Sequence, residues 1–464
     1  MIEVKCPRVI IGAPSSGCGK SIIASGIMAW LSRRKKVQGF KVGPDYIDPM
    51  YHHQATGRVG RNLDSWMLSP TLVKKIFVRA AQKVEISVIE GVMGLFDGSI
   101  ELSSLTAGLY SGSTAEIAFL LKAPIILIID AQRMAHSAAA VLHGFHTLNP
   151  QIKISGVIFN RVNSARHAHL LNQTIKPYGI PSLGCIPKNE GLHIPERHLG
   201  LYTVIERLAE VQSVLENAAN VVNEHIDMDM VMQIANQAPP LYVEHSEIEP
   251  SDLIEVNIAY AHDEAFCFYY EDNLEELKKY GANVVSFSPI YDARLPEDTH
   301  GIYFGGGYPE LYSEKISSNQ MMLKEIAHLI KYGLPVYAEC GGLMVLTQGI
   351  TKDDGSLHKF IGVLPGYTRL TKKLTMGYRK VRALQDSLFT RCNESYRGHE
   401  FHYSFWGGLD ESKAAYQINP NSEFEKPYLE GYAENNILAS YIHLHFGQMK
   451  DIPQRFVEYC LKNK

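Results

Sequence analysis

Two short stretches of this 464-residue chain, far apart, carry residues suited to chemistry. Near the start, Ile11 to Ser21 reads IGAPSSGCGKS; in the last third, Val336 to Met344 reads VYAECGGLM. In the first, Gly17 and Gly19 let backbone amides turn inward around phosphate oxygens, Lys20 supplies a point charge, and Ser21 can ligate magnesium. In the second, Cys340 stands between an apolar run and two glycines, the setting of a nucleophile on a sharp strand-to-helix turn. The two chemistries are nucleotide phosphate binding and thiol attack.

The phosphate loop is a variant. The strict GxxxxGK[ST] spacing puts a glycine where Pro14 stands, and Gly12 lies two residues earlier. Cys18, inside the loop, reads as a small residue and nothing more. Four acids fall where strand ends should deliver them: Asp45 and Asp48 in FKVGPDYIDPMYH, and Glu90 with Asp97 in VIEGVMGLFDG. Phosphoryl transfer needs carboxylates to hold magnesium near the β- and γ-phosphates, and strand ends beside the loop are where they sit. Asp45 and Glu90, with Ser21, are the expected magnesium ligands, and Lys41 adds positive charge to the same cleft.

For Cys340, the start of the following helix is expected to favour thiolate and lower the thiol pKa. The base is expected at His443 in SYIHLHFG, on a late strand end, with His445 two residues on and pointing to the same side of an extended chain. FGGGYPE, Phe304 to Glu310, offers amides for an oxyanion hole, with Gly306, Gly307 and Gly341 as the expected donors. His399 and His402 in RGHEFHYS either line this cleft or satisfy loop hydrogen bonds.

These residues need strands to deliver them. RVIIG, VQGFKVG, ISVIEGV, PIILIID and ISGVIFN are apolar throughout and separated by helical stretches, the first from Lys20 to about Arg34. Such runs predict a parallel sheet covered on both faces. From Glu206 to Asn236 the pattern is helical and polar, then QAPPLYVEHSEIEPSD suits a linker. VNIAYA opens a second α/β region with a helix around Asn273 to Tyr280, then NVVSFSP, HGIYFGGGYPE, LPVYAECGG and ILASYIHLHFG. The expected organisation is a phosphate-binding domain over 1–240, a linker over 241–253 and a thiol-bearing domain over 254–464.

Length suggests more than one core. Hydrophobic residues make up 45% and charged residues 20%, a soluble, globular balance, and the net charge of −4 argues against a nucleic-acid binder. Seven cysteines without a CxxC pair fit neither a disulfide scaffold nor a zinc site. No apolar run reaches membrane-spanning length, so a cytoplasmic location and no membrane partner are expected.

FKVGPDYIDPMYH, RNLDSWML, EGVMGLFDG, FGGGYPELY, ECGGLMVL, TKKLTMGYR, GHEFHYS and YIHLHF, in this order, resemble the blocks of the cobyrinic acid a,c-diamide synthase family along nearly the whole chain. The resemblance implies an N-terminal P-loop domain similar to dethiobiotin synthetase and a C-terminal α/β domain similar to class I glutamine amidotransferases. It implies Cys340 as the glutaminase nucleophile and His443 as the residue that activates it. The wider amidotransferase pattern ends in His-x-Glu, whereas here the chain reads His443-Leu444-His445, which implies a dyad. Lys41, Tyr46, Asp48 and Asp97 are expected on the substrate and acyl-transfer side, with Mg2+ as cofactor and ATP as co-substrate. A carboxylate is anionic and lacks a leaving group; phosphorylation to an acyl phosphate cures both defects before ammonia attacks. The implied substrates are glutamine, ATP and a tetrapyrrole polycarboxylate, for which Arg58, Arg61, Arg369, Lys372, Lys373 and Tyr378 are expected contacts. The resemblance leaves a homodimer open.

Relatives acting on hydrogenobyrinic acid or nickel sirohydrochlorin share the same blocks, and cobyric acid synthase has a similar domain pair. A different class, the ParA and MinD type of ATPase switch, carries a second lysine early in its loop, which GAPSSGCGKS lacks, and has no need of Cys340 and His443.

Overall fold

A computed structural model describes residues 2–99, 108–192, 196–197, 200–244, 256–352, 354–419 and 426–463. The chain divides into two compact units, Met1–His245 and Ser246–Lys464.

In the first unit the apolar runs become one seven-stranded sheet. Its order across the sheet is Arg61–Leu63, Val37–Val42, Ile86–Glu90, Arg8–Gly12, Ile125–Asp130, Ile154–Val162, Ser182–Pro187, every pair parallel. The strands Val37–Val42, Ile86–Glu90 and Arg8–Gly12 are buried at every position, as a sheet covered on both faces requires. Truncating a fully buried member such as Ile89 to Ala costs about 2–5 kcal/mol. Register places Ile11 and Lys41 each beside Glu90, so the parallel pairing alone brings the phosphate loop, the lysine and the acid to one sheet edge.

Capping side chains start several helices. Ser69, Ser113 and Ser164 accept hydrogen bonds from the amides of Leu72, Glu116 and His167, satisfying donors the first turn leaves open. The helix after the phosphate loop spans Lys20–Ser32 and packs against Leu208–His225 so closely that a Cβ on Gly26 would lie 3.0 Å from the Ala218 carbonyl oxygen. The polar helical stretch resolves into Leu208–His225 and Met228–Asn236, the second capped by Asp227.

The expected linker opens with a strand instead: Leu241–Val243 pairs antiparallel with Ile2–Val4, Leu241 opposite Val4 and Val243 opposite Ile2. The apolar Leu241 is buried there, so these three residues belong to the first unit. Residues 245–253 of that linker lie outside the described residues.

The second unit holds a six-stranded sheet in the order Ala282–Phe287, Val256–Ala261, Thr299–Phe304, Val336–Glu339, Ile437–Ser440, Tyr432–Glu434, parallel except at the last pair. The helix expected near Asn273 spans Glu271–Lys279, with Glu271 and Asp272 in its first turn and Lys278 and Lys279 in its last, matching the helix dipole. A second sheet is built on the long antiparallel pair Thr368–Ala383 and Ser395–Trp406, with His443–Leu444 added beside Gly398 and His399. Ile437–Ser440 thus leads from one sheet to the other and carries His443 toward the end of Val336–Glu339. Among the described residues no helix is long and apolar enough to cross a membrane.

Candidate active sites

In the first unit, Gly17 and Gly19 take the left-handed backbone, φ +79° and +94°. At Gly19 no side chain fits: a Cβ would sit 2.4 Å from Asn160 Nδ2, and Asn160 itself donates to the Cys18 carbonyl at 2.9 Å. Lys20 begins the helix, and its Nζ donates to the carbonyls of Ser15 and Met93 at 2.9 and 2.6 Å. Burial, then repulsion from Lys41, lowers its pKa from the usual lysine value. Beside the loop, Gly19, Ile22, Asn160, Pro187, Asn189 and Leu192 line a cavity of about 390 Å3.

Ser21 Oγ donates to Glu90 Oε1 at 2.6 Å and lies 3.5 Å from Asp48 Oδ2. Lys41 Nζ is 2.5 Å from Asp48 Oδ2 and 2.7 Å from Glu90 Oε1. The other Glu90 oxygen meets His52 Nε2 at 2.7 Å. Burial disfavours every charge in this cluster. Around Lys41, Asp48 and Glu90 outweigh it and hold the ammonium above the usual lysine range. Around Glu90, Lys41 and His52 outweigh it and hold the carboxyl below the usual range. Asp48 goes the other way: burial, then the charges of Asp45 and Glu90, pushes its carboxyl well above the ordinary value. The two carboxyl groups that face Lys41 are thus shifted in opposite directions.

Asp45 does a backbone job: its Oδ1 accepts from the amides of Ile47 and Asp48 at 2.8 and 2.9 Å, starting the helix Asp48–Thr56. Asp97 likewise accepts from the Gly94 amide at 3.0 Å. Tyr46 is buried in the same loop. It is Asp48, four residues before His52 on one helix face, that comes within reach of Ser21. His52 is a site residue that no motif reading singled out; the i, i+4 spacing from Asp48 was the available signal.

The second site stands on the turn between Val336–Glu339 and Gly341–Leu346. Cys340 occupies it with φ +50° and ψ −102°, a strained conformation for a residue with a Cβ. Its amide is fixed by the Ser440 carbonyl at 2.7 Å, and Gly342 lets the chain pass Phe304, whose carbonyl oxygen would lie 2.5 Å from a Cβ there. The expected drop in the thiol pKa does not occur. Burial, then the Glu310 carboxylate, pushes the Cys340 thiol up, and the Gly341 amide offsets only part of this. The helix that was to supply the dipole is six residues long.

Gly306 corrects another expectation. Its amide bonds the Phe268 carbonyl at 3.2 Å in an isolated bridge, so it is no oxyanion donor. Its role is clearance: a Cβ there would lie 2.6 Å from Cε1 of His443 and 3.4 Å from Nε2. The Gly307 amide nitrogen lies 3.2 Å from where a Cβ on Gly341 would stand, so those two glycines bring backbone to the cysteine's turn. His443 is buried beneath, with Nδ1 3.5 Å from Glu339 Oε2. His399 pairs with His443 in the sheet, rings 4.8 Å apart. His445 instead packs 5.0 Å from the Tyr270 ring and accepts from the Gly447 amide. His402 joins Glu400 at 2.9 Å and stacks on Tyr441. Glu339, adjacent to the nucleophile, was visible in VYAECGG but not its pairing with His443, which depends on which strand the late histidine follows.

Of the expected macrocycle contacts, Arg58 and Arg61 lie in the first unit and are half-buried. Arg369, Lys372 and Lys373 are exposed on the strand Thr368–Ala383 of the second, with Arg369 over the Phe405 ring at 5.3 Å; Tyr378, on the same strand, is half-buried.

Comparison with known proteins matches both halves. Residues 9–201 fit the CobQ/CobB/MinD/ParA nucleotide binding domain, and residues 257–450 the CobB/CobQ-like glutamine amidotransferase domain. A cobyrinate a,c-diamide synthase of Picrophilus torridus is 40% identical over 98% of this chain and 99% of its own. That of Priestia megaterium is 40% identical over 98% and 97%, and that of Archaeoglobus fulgidus 38% identical over the full length of both. With a nucleotide-binding unit and an amidotransferase unit matched end to end, the chain belongs to the cobyrinate a,c-diamide synthase family of glutamine-dependent ligases.

Proposed function

We propose that this enzyme amidates the a- and c-acetate carboxylates of cobyrinic acid, using ATP to activate each carboxylate and glutamine as the nitrogen source. A substrate carboxylate oxygen attacks the γ-phosphorus of ATP and ADP leaves, giving an acyl phosphate. Ammonia attacks the acyl carbon, phosphate departs, and the nitrogen loses a proton as the amide forms. Lys20 and Lys41 offset the charge that gathers in the first step. The cavity beside Gly19 and Asn160 suits the nucleoside base.

The donor set fits magnesium: Ser21 Oγ with the carboxylates of Glu90 and Asp48, all hard oxygens. Among the described residues no group of three or more His, Cys, Asp or Glu could hold a metal unaided. An ion held by these oxygens would complete its shell with the nucleotide phosphates and water. Bound there, it would neutralise developing phosphate charge, and Lys41 and His52 hold the Glu90 carboxylate in place.

At the second site, Cys340 Sγ attacks the side-chain carbonyl carbon of glutamine, His443 takes the thiol proton and returns it to the departing ammonia, and a γ-glutamyl thioester remains for water to cleave. Arg369, over exposed Phe405, with exposed Lys372 and Lys373 on the same strand, offers cations and an aromatic face to a flat polyacid. The observation that carries this reading is the strained Cys340 turn in a chain that also holds the Ser21, Lys41 and Glu90 cluster. An ATPase switch needs only the second of these.

The deciding experiment is mass spectrometry of the products after incubation with glutamine, ATP and Mg2+, offering cobyrinic acid, hydrogenobyrinic acid and nickel sirohydrochlorin separately. Two amidations of cobyrinic acid alone are expected. Amidation of another macrocycle alone keeps the chemistry and replaces the substrate, and amidation of none defeats the proposal.

A further inference from the structure

Glu339 is the last residue of its strand, adjacent to Cys340, and is 1% exposed. Its carboxylate is met from several elements. Oε1 accepts from Tyr337 OH at 2.6 Å and from the Leu444 amide at 2.9 Å; Oε2 accepts from Tyr303 OH at 3.0 Å and lies 3.5 Å from His443 Nδ1. Burial, then the nearness of Glu339, pushes both tyrosine hydroxyls far above their usual pKa, so they act as donors.

The same carboxylate therefore grips the chain on one side of His443 through Leu444 and faces the ring itself. Asn273 completes the mount: Nδ2 donates to the Leu444 carbonyl at 2.8 Å, and Oδ1 accepts from the Phe446 amide at 2.7 Å. With Nδ1 turned to Glu339, Cε1 and Nε2 turn to Gly306, where only a glycine leaves them room. A satisfied core carboxylate explains the tyrosines; it does not explain why one carboxylate both bonds the backbone beside the base and faces its ring.

We infer that Glu339, the residue preceding the nucleophile, is the positioning residue of the glutaminase, taking the place of the glutamate absent from His443-Leu444-His445. It accepts Nδ1–H of His443 and so selects the tautomer whose Nε2 takes the Cys340 proton. Nε2 then returns that proton to ammonia as the carbon–nitrogen bond breaks. The 3.5 Å separation shortens as His443 gains positive charge. This inference rests on reading Cys340 and His443 as a glutaminase.

The test is the full-length Glu339→Gln protein, followed by glutamate release from glutamine in the presence of ATP, Mg2+ and cobyrinic acid, over a range of pH. The carboxamide keeps the size of the side chain but no longer selects the tautomer. Expected is a kcat about 100-fold lower at neutral pH with the KM for glutamine within about twofold, while ammonium-supported synthesis is retained. The deficit narrows as pH rises, because hydroxide forms the thiolate without the base. A kcat within about threefold of the parent, or a deficit equal at every pH and accompanied by a raised KM, overturns the inference. Should the variant lose its cooperative melting, Tyr337→Phe decides. It removes one donor from Glu339, and a normal kcat there overturns the inference while a kcat lowered about three- to tenfold at constant KM supports it. Cys340→Ala run in parallel separates the two levels: glutamate release by that variant defeats the glutaminase reading itself, whereas its silence beside a normal Glu339→Gln defeats only the role of Glu339.

Discussion

Ser21 Oγ and Glu90 Oε1 are 2.6 Å apart although 69 positions separate them in the chain, because the strands that deliver them lie side by side and parallel. The hydroxyl of the phosphate loop and the neighbouring carboxylate are thus brought together before any ligand arrives.

Replacing Glu90 with Gln keeps the hydrogen bond to Ser21 and removes the charge. Lys41 then retains Asp48 as its carboxyl partner, so the fold is expected to survive with a loss of about 1–3 kcal/mol. ATP-dependent amidation should fall about 100-fold or more, while Cys340 still forms its thioester with glutamine. Intact-protein mass spectrometry and product assays check both halves; unimpaired amidation would remove Glu90 from the phosphoryl-transfer site.

Burial and the charges of Asp45 and Glu90 push the Asp48 carboxyl well above its usual range. A divalent cation placed beside it reverses that balance and expels the proton. Binding of Mg2+ with ATP should therefore release protons, measured by titration calorimetry in buffers of different ionisation enthalpy. Asp48→Asn should bind without that release; an equal release from both proteins excludes Asp48 as its source.

How much of this could be read from the sequence depends on the range of the interaction. Glu90 announced itself as the end of an apolar strand, where parallel sheets place ligands, and Lys20 and Ser21 as the opening of a helix behind a glycine-containing loop. The strained turn at Cys340 was legible in Gly341 and Gly342. The thiol pKa was not: burial and then the approach of Glu310 decide it, and both are set by the fold. Gly306 misled for a similar reason, since its amide is captured by Phe268 from a separate loop. Leu241–Val243 read as linker because prolines and acids surround it, while its partner strand lies at the other end of the unit.

Gly306 gives a clean test of the cleft. Gly306→Ala places a methyl 2.6 Å from the His443 ring, and the ring has to move. A displaced base is expected to lower glutamine-dependent turnover about 100-fold and leave ammonium-dependent turnover intact. If both fall together, the substitution has damaged the fold; if neither falls, His443 is not the base.

Because burial raises the Cys340 thiol, the resting enzyme should alkylate slowly there. With iodoacetamide at pH 7.5, per-residue mass spectrometry should find exposed Cys392 modified first and Cys340 at least about tenfold slower. Fast modification of Cys340 would mean a preformed thiolate, against the geometry of the turn.

Glu430 links stability to pH. It is buried under the elbow, accepting from Ser440 Oγ and the Tyr441 amide, each at 2.6 Å. Burial outweighs both bonds and raises its carboxyl to about 8 from the usual 4.5. The folded protein then holds a proton that the unfolded chain has released, so stability falls as pH climbs from 4.5 to about 8 and levels off above. Glu430→Gln removes this dependence while keeping a side chain that can accept from the Tyr441 amide. Relative to the parent, the variant should gain about 1–3 kcal/mol on passing from pH 5 to pH 8.5, seen as a Tm difference that grows by roughly 3–6 °C. A Tm difference between variant and parent that stays constant across this range would show that Glu430 does not titrate within it.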